Sequence, residues 1–327
     1  LIMFCELNNF FVNFSLSWDQ GINLTLLKEY LGEYASIERV TNLSGQYDLS
    51  ICFIDENNRL FDTNVYMIDN HKAKVVNNQL FIGRKELNSD EILFTKRLLI
   101  DLINRFFECK GGIFLHSSSV VFEGNTILFI GDKGAGKTTN MLYLLNNFNL
   151  AYSSNERTGL ILKDDKIISY GNPARINIRA NTLKSNESLK DKLWDSIDKT
   201  KYQQYISTNL SRDCSERLVI SFNELANRLG IKIVPNSKLK IIFNLIYKPD
   251  IEFDYEEVRY EEIKSSIENS IIDGVFPQRE ILNKIFPIGV TTIKDILDSN
   301  EICYYNIYQD GTRDNSPEIY KILKSKM

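Results

Sequence analysis

Eight consecutive residues of this 327-residue chain match a pattern that binds phosphate groups. They read Gly131-Asp132-Lys133-Gly134-Ala135-Gly136-Lys137-Thr138 and fit G-x-x-x-x-G-K-[ST] at every defined position. The three glycines let the backbone turn so that successive N–H groups face the oxygens of a nucleoside triphosphate. Lys137 would neutralise the β- and γ-phosphates, and Thr138 would offer its hydroxyl to Mg²⁺. Thr139, the next residue, completes the predicted nucleotide site.

The residues around this loop have the context that the pattern requires. Apolar residues 127–130 predict a strand before the loop, and residues 137–147 predict a helix after it. Strand, loop and helix in this order indicate the entry of an α/β nucleotide-binding core. Switches, motors, transporters and kinases all use such a loop, so the motif predicts ATP or GTP with Mg²⁺ and leaves the reaction open.

The elements that position the loop fall into two predicted domains. Residues 1–88 alternate turn-forming residues with short β-prone runs at 10–16, 49–54, 65–68 and 79–82. A helix is predicted near residues 25–34, and apolar residues at helical spacing predict a longer one over 89–109. The domain boundary is predicted just before residue 89, which gives a β-rich region 1–88 and a catalytic domain 89–327 with a C-terminal α/β extension.

Composition excludes several classes of function. The net charge of -4, with no basic stripe, argues against nucleic acid as a partner. No run of about 18 apolar residues predicts a membrane span, and residues 1–4 lack the basic flank of a signal peptide. Two histidines are too few for a His-rich metal site, and five widely separated cysteines predict free thiols and a cytoplasmic location.

A wider stretch around the loop carries a family resemblance. Residues 115–120 read Leu-His-Ser-Ser-Ser-Val, and residues 124–131 lead from a Gly-Asn turn into the loop. With the residues up to 183, they resemble the core of HPr kinase/phosphorylase and of its shorter, serine-kinase-like relatives. Those cores are also similar to phosphoenolpyruvate carboxykinase. The resemblance implies a mixed α/β fold with a smaller β-rich N-terminal domain, and it places His116 at the family's histidine before the loop.

The resemblance implies a general base at Glu156. The family carries two acidic residues at a strand end beyond the loop helix, and the second accepts the proton of the acceptor hydroxyl. Here residues 153–157 read Ser-Ser-Asn-Glu-Arg, so Asn155 and Glu156 take the places where the family often has Asp-Asp or Asn-Asp. A glutamate can perform the same proton transfer when its longer side chain reaches the hydroxyl.

The resemblance also implies a metal ligand and a charge-stabilising arginine. Residues 173–179 resemble the family's short strand, which bears a metal-linked glutamate and an arginine two residues later. Arg179 aligns with that arginine, and Asn177 replaces the acidic residue. An amide oxygen binds Mg²⁺ more weakly than a carboxylate, so Thr138 and Asn177 are the predicted metal ligands.

The activity implied by the resemblance is transfer of the γ-phosphoryl group from ATP·Mg²⁺ to a hydroxyl. The first candidate acceptor is a serine of a ribosomally made precursor peptide, and a small hydroxyl-bearing metabolite or a protein stays open. The full HPr enzymes are hexameric, so a homo-oligomer is compatible with the resemblance. Two other functions stay open: a catalytically impaired, nucleotide-gated binding module, and an NTPase of another lineage.

Some of these residues also have a purely structural interpretation. His116 could be a half-buried strand histidine, Glu156 an exposed carboxylate and Arg179 a surface ion-pair partner. Asp164-Asp165, between two lysines, predicts a hairpin turn rather than an acidic site. A helix predicted over 255–271 and the tyrosines at 304, 305 and 308 could form a peptide-docking surface, although aromatic strands more often belong to a core.

Overall fold

The computed structural model describes residues 3–10, 12–18, 22–43, 45–77, 79–84, 89–207, 218–272, 297, 301–311 and 313–327. These residues form a mixed α/β structure in two compact units, of which the first ends at Gly112 and the second begins at Ile113. Within the described residues, no helix combines the length and the apolar character needed to cross a membrane. The four described cysteines form no disulfide.

The first unit contains a sheet whose outer strands pair antiparallel and whose central strands pair parallel. Its described strands are β1 Met3–Asn8, β2 Asn13–Trp18, β3 Ser36–Val40, β4 Leu49–Asp55, β5 Tyr66–Ile68, β6 His71–Val76 and β7 Gln79–Arg84. Their spatial order is β3-β1-β2-β4-β7-β6-β5, with β4 parallel to both β2 and β7. The predicted helix near 25–34 is α1 Leu24–Leu31, followed by a 3₁₀ turn.

The long helix α2 has the bounds that the apolar spacing predicts, Ser89–Cys109. It contacts α1, and its Phe106 ring meets Phe14 of β2 edge to face with ring centroids 6.5 Å apart. Because these contacts tie α2 to the first sheet, the division between the units lies at Gly112, after the helix. The predicted boundary lies before it, at residue 89.

The second unit contains a larger mixed sheet. Its described strands are β8 Ile113–Leu115, β9 Ser118–Phe122, β10 Asn125–Gly131, β11 Ala151–Ser154, β12 Thr158–Lys163, β13 Lys166–Gly171, β16 Asn236–Tyr247, β17 Asp254–Val258 and β18 Cys303–Gln309. The order β11-β9-β10-β16-β13-β12-β8 is extended by β18, which pairs with β16, and by β17, which pairs with β18. Strands β14 Ile176–Ile178 and β15 Leu218–Ile220 pair separately.

Three parallel strands define the edge where the loop lies. Both β10 and β18 run parallel to β16, with Gly131 opposite Leu245 and Gln309 opposite Tyr247. Their carboxyl ends therefore meet at one edge of the sheet, which is where α/β sheets bind ligands. Buried Leu128 and Ile130 of β10 belong to the apolar core of this unit.

Helices surround this sheet. They are α3 Lys137–Phe148, α4 Ala180–Lys184, α5 Glu187–Leu193, α6 Lys199–Ser207, α7 Phe222–Leu229, α8 Tyr260–Asn269 and α9 Ser316–Lys326. The helix predicted over 255–271 is wrong in its first part, because residues 254–258 form β17 along β18. Arg259 is the N-cap residue of α8, and the Glu262 side chain accepts a hydrogen bond from the Arg259 N–H at 2.9 Å.

The hairpin turn predicted at Asp164-Asp165 is confirmed. It joins β12 to β13, with Lys163 opposite Lys166. Asp164 has φ +49° and Asp165 φ +59°, the left-handed pair that a tight two-residue hairpin needs.

This backbone predicts how the turn responds to substitution. Asp165→Val should lower the free energy of unfolding by about 1–2 kcal/mol, because a β-branched residue is strained at positive φ. Asp165→Asn should change it little, since asparagine tolerates this conformation. Urea titration measures both. A valine variant as stable as the asparagine variant would contradict the turn geometry.

Candidate functional site

The predicted site residues converge on one cavity of about 280 Å³ in the second unit. Its lining residues are His116, Ser117, Lys133, Gly134, Gly136, Lys137, Thr138, Thr139, Asn155, Glu156, Asn177, Arg179 and Thr182. They include the four predicted catalytic residues and both predicted metal ligands. Of the predicted nucleotide-binding residues, Gly131, Asp132 and Ala135 do not line the cavity.

The loop takes its shape from glycines in the left-handed region. Gly131, Gly134 and Gly136 have φ +132°, +93° and +104°. A methyl group at Gly131 would clash with the backbone oxygen of Leu245, so the loop leaves β10 where no side chain fits. Helix α3 begins directly after Gly136, and its first N–H groups are available to an anion.

Lys137 lies at the centre of the loop and is only 9% exposed. Its Nζ donates hydrogen bonds to the backbone oxygens of Gly131 at 2.6 Å and Asp132 at 3.2 Å. Burial lowers the pKa of this amine, the carboxylates of Glu156 and Asp132 oppose that shift, and Arg179 adds to it. The lysine therefore ties both ends of the loop together and places a cation beside the cavity.

Thr138 and Thr139, in the first turn of α3, each bring a hydroxyl group to the site. Thr138 Oγ1 donates to Asn155 Oδ1 at 2.9 Å, and Thr139 Oγ1 lies 2.9 Å from Thr182 Oγ1. Asn155 is 1% exposed, and its buried Nδ2 has no hydrogen-bond partner among the described residues. Sequence reasoning placed Asn155 in the acidic-pair position without assigning it to the metal, whereas the structure puts its oxygen beside Thr138.

The oxygens of Thr138 and Asn155 are hard donors of the type that Mg²⁺ prefers. Within the described part of the chain, no group of three or more His, Cys, Asp or Glu side chains could hold a metal ion. A magnesium ion here would consequently need further oxygens from phosphate groups and water.

Glu156 and His116 contact each other in the same cavity. Glu156 follows β11 with φ +69°, an uncommon conformation for a residue with a side chain. His116 Nδ1 lies 3.1 Å from the Glu156 backbone oxygen and 3.7 Å from its Oε2. Burial and the charge of Lys137 lower the pKa of His116, while Glu156 acts in the opposite direction. A neutral ring with its proton on Nδ1 donates to that carbonyl and leaves Nε2 as an acceptor.

Asn177 lies on β14, and Arg179 directly follows the end of this strand. A methyl group on Gly134 would lie 3.6 Å from Arg179 Nη2, which places the guanidinium next to the loop. Asn177 is on β14, opposite Val219 of β15. The cavity thus combines three cations, Lys133, Lys137 and Arg179, with the carboxylate of Glu156.

One supporting residue escaped sequence reasoning. Gln309, at the end of β18, donates a hydrogen bond from Nε2 to the Ala135 backbone oxygen at 2.6 Å. The two residues are 174 positions apart in the chain. No motif connects them, and only the parallel pairing of β16 and β18 brings them together.

Comparisons with known proteins give distant similarities among solved structures. No protein-family model matches the chain, and no curated protein matches it. Among solved structures, the HPr(Ser) kinase/phosphatase from Coxiella burnetii aligns with 65% of this chain and 94% of that chain. The TM-score is 0.33 and the sequence identity is 8%, so this similarity carries no assignment of function.

The two histidines should titrate on opposite sides of their ordinary pKa of 6.5. Burial favours the neutral ring of His71, but its hydrogen bond to Glu91, together with the charge of Glu91, outweighs burial and raises its pKa. Burial lowers the pKa of His116. NMR titration of the ring protons, assigned with His71→Gln and His116→Gln, measures both values.

The two histidines should make the stability of the fold depend on pH in opposite directions. The contribution of His71 is fully present below pH 6.5 and is lost as pH rises through its folded pKa. The contribution of His116 is present above pH 6.5 and is lost as pH falls through its folded pKa. Two rings that titrate together near 6.5 would contradict both environments.

Proposed function

We propose that this chain is an ATP·Mg²⁺-dependent phosphotransferase that phosphorylates a hydroxyl group. The observation that carries the proposal is one cavity lined by the loop residues Lys137 and Thr138 together with Glu156, Asn177 and Arg179. A phosphate-binding loop alone suits many functions. A carboxylate and a further cation beside the loop are what phosphoryl transfer to a hydroxyl needs in addition.

The loop and its lysine bind the donor. The N–H groups around Gly134 and Gly136 and the start of α3 face the phosphate oxygens, and Lys137 offsets their charge. Thr138 and Asn177 would hold the metal, and Asn155 is a further oxygen donor beside Thr138. Mg²⁺ would reduce the charge repulsion between the phosphates and an incoming oxygen.

The transfer step is in line. Glu156 accepts the proton of the acceptor hydroxyl as that oxygen forms a bond to the γ-phosphorus. The bond from this phosphorus to the β–γ bridging oxygen breaks, and ADP leaves. Arg179 stabilises the negative charge on the transferring group. His116, through its contact with the Glu156 backbone oxygen, supports the base.

The acceptor we propose is a serine of a peptide, with a ribosomally made precursor as the first candidate. The side chains of His116 and Glu156 are 46% and 38% exposed, so this part of the cavity is open to solvent. An open cavity suits an acceptor hydroxyl that is part of a longer peptide chain.

A nucleotide-gated binding module is the second candidate, and the amides at 155 and 177 favour it. Asn177 stands where the resembling family has an acidic residue, and Asn155 where it often has Asp or Asn; an amide binds the metal more weakly than a carboxylate. An NTPase of another lineage needs a carboxylate at the end of a strand beside β10. The neighbouring β16 instead has Asn244, whose Nδ2 donates to Asn306 Oδ1 at 2.9 Å.

Substitution of the lysine and the base tests the kinase. With γ-labelled ATP, Mg²⁺ and serine-containing peptides, Lys137→Ala should weaken nucleotide binding by about tenfold or more, since it removes a charge-assisted contact. Glu156→Gln should keep binding and reduce transfer by about 10²–10⁴-fold, because the base is lost. Isothermal titration and phosphopeptide mass spectrometry measure the two effects.

Matched controls lie outside the cavity. Glu123 also has positive φ, +48°, and Glu123→Gln should leave transfer unchanged. Lys232 is exposed, and Lys232→Ala should leave binding unchanged. Nucleotide binding without transfer or hydrolysis in any mixture would favour the binding module and remove the role of Glu156.

Asn155 gives an independent test of the metal site. Asn155→Asp should strengthen Mg²⁺ binding in the presence of ATP by about tenfold, because a carboxylate beside Thr138 binds this ion better than an amide. The isosteric Asn244→Asp, on β16, should not change it. Titration of Mg²⁺ against a fluorescent ATP analogue measures the affinity, and equal effects of both variants would exclude Asn155 as a donor.

A further inference from the structure

Gln309 connects the C-terminal strand β18 with the phosphate-binding loop. It is 2% exposed. Its Nε2 donates to the Ala135 backbone oxygen at 2.6 Å, and its Oε1 accepts from Asn140 Nδ2 at 3.3 Å and from Asn315 Nδ2 at 3.2 Å. Strand β18, helix α3 and the residue before helix α9 thus meet at one buried amide.

The surroundings of Gln309 determine which end of its amide faces the loop. Asn140 and Asn315 present donors, so the side-chain oxygen must face them. The NH₂ group is then the only end that can face Ala135, where a carbonyl accepts it. With the amide reversed, the Gln309 oxygen would face the Ala135 oxygen, and the Gln309 NH₂ group would face the NH₂ groups of Asn140 and Asn315. The network therefore selects one orientation.

This hydrogen bond fixes the next peptide N–H. In a planar trans peptide, the C=O of Ala135 and the N–H of Gly136 point in opposite directions. Because Gln309 holds that carbonyl on the buried side, the Gly136 N–H points away from Gln309. Gly136 lines the cavity, so its N–H is held for a ligand there.

The same contact explains the glycine at position 136. A methyl group on Gly136 would lie 2.7 Å from Gln309 Nε2 and 3.3 Å from Asn140 Nδ2. Its own carbonyl is held by the Asn140 backbone N–H at 2.9 Å and by Asn140 Nδ2 at 3.1 Å. Both peptide groups that flank Gly136 are consequently fixed by side chains outside the loop motif.

We propose that Gln309 is a positioning residue for phosphate binding, which orients the Gly136 N–H toward the phosphates through the Ala135 carbonyl. The inference rests on the proposed nucleotide binding and adds to it a residue from the C-terminal strand. Without the Gln309 donor, the peptide between Ala135 and Gly136 can rotate. Its carbonyl oxygen then faces the phosphates and repels them.

Two variants test this role. Gln309→Glu keeps the shape and removes the donor, and Gln309→Met keeps the length without any polar group. Each should raise the dissociation constants of MgATP and of pyrophosphate by about 10–100-fold, the loss expected for one hydrogen bond to a charged group. Asn306→Asp is the matched control, since Asn306 is an amide on the same strand and contacts Asn244 and Glu256.

The amide resonance of Gly136 in nucleotide-free protein gives a second readout. One sharp peak is expected in the wild type and in Asn306→Asp, and a shifted or doubled peak in either Gln309 variant that remains folded. Unchanged affinity and an unchanged Gly136 resonance in a folded Gln309 variant would overturn the role of Gln309. A wild-type protein that binds neither ligand would overturn the proposed function, and the resonance alone would then decide the role of Gln309.

Discussion

The loop between β10 and α3 leaves the sheet where the Gly131 backbone lies against the Leu245 carbonyl, with no room for a side chain. This close approach depends on β10 and β16 being parallel neighbours in register. It directs the chain out of the sheet at the carboxyl edge, so that α3 begins there with free N–H groups. The position of Lys137 and of Thr138 follows from this one backbone contact.

Charge is distributed in the cavity to receive an anion. Arg179 lies close enough to Lys137 to disfavour the cationic form of the lysine, and burial disfavours that form more strongly. A bound polyanion would favour the charged form of Lys137 and so oppose the effects of both burial and Arg179. His116 adds no further cation at pH 7, because burial and the charge of Lys137 lower the pKa of its ring. The amides of Asn155 and Asn177 leave Glu156 as the one carboxylate among the residues that line this cavity.

Local patterns predicted the parts of this structure that depend on neighbouring residues. The glycine loop, helix α2 and the Asp164-Asp165 turn follow from spacing and turn chemistry. Strand β17 was missed because its conformation comes from pairing with β18, about fifty residues away, which no local signal records. Gln309 was missed for the same reason: its role depends on a strand that arrives beside β16 from the far end of the chain.

The strained backbone of Glu156 indicates what holds this residue in place. A positive φ in a residue with a side chain persists only when its surroundings impose it. Here the His116 ring contacts the Glu156 carbonyl, and Ser154 Oγ donates to the Arg157 carbonyl just beyond it. The Ser154 oxygen also accepts from the Asn172 N–H at 3.1 Å. The side chains of His116 and Ser154 thus fix the backbone at Glu156 and Arg157 while the Glu156 carboxylate stays partly exposed. A neutral histidine 3.7 Å from Oε2 forms no ion pair with this carboxylate, so the backbone, which sets where the side chain begins, is the part of Glu156 that these contacts position.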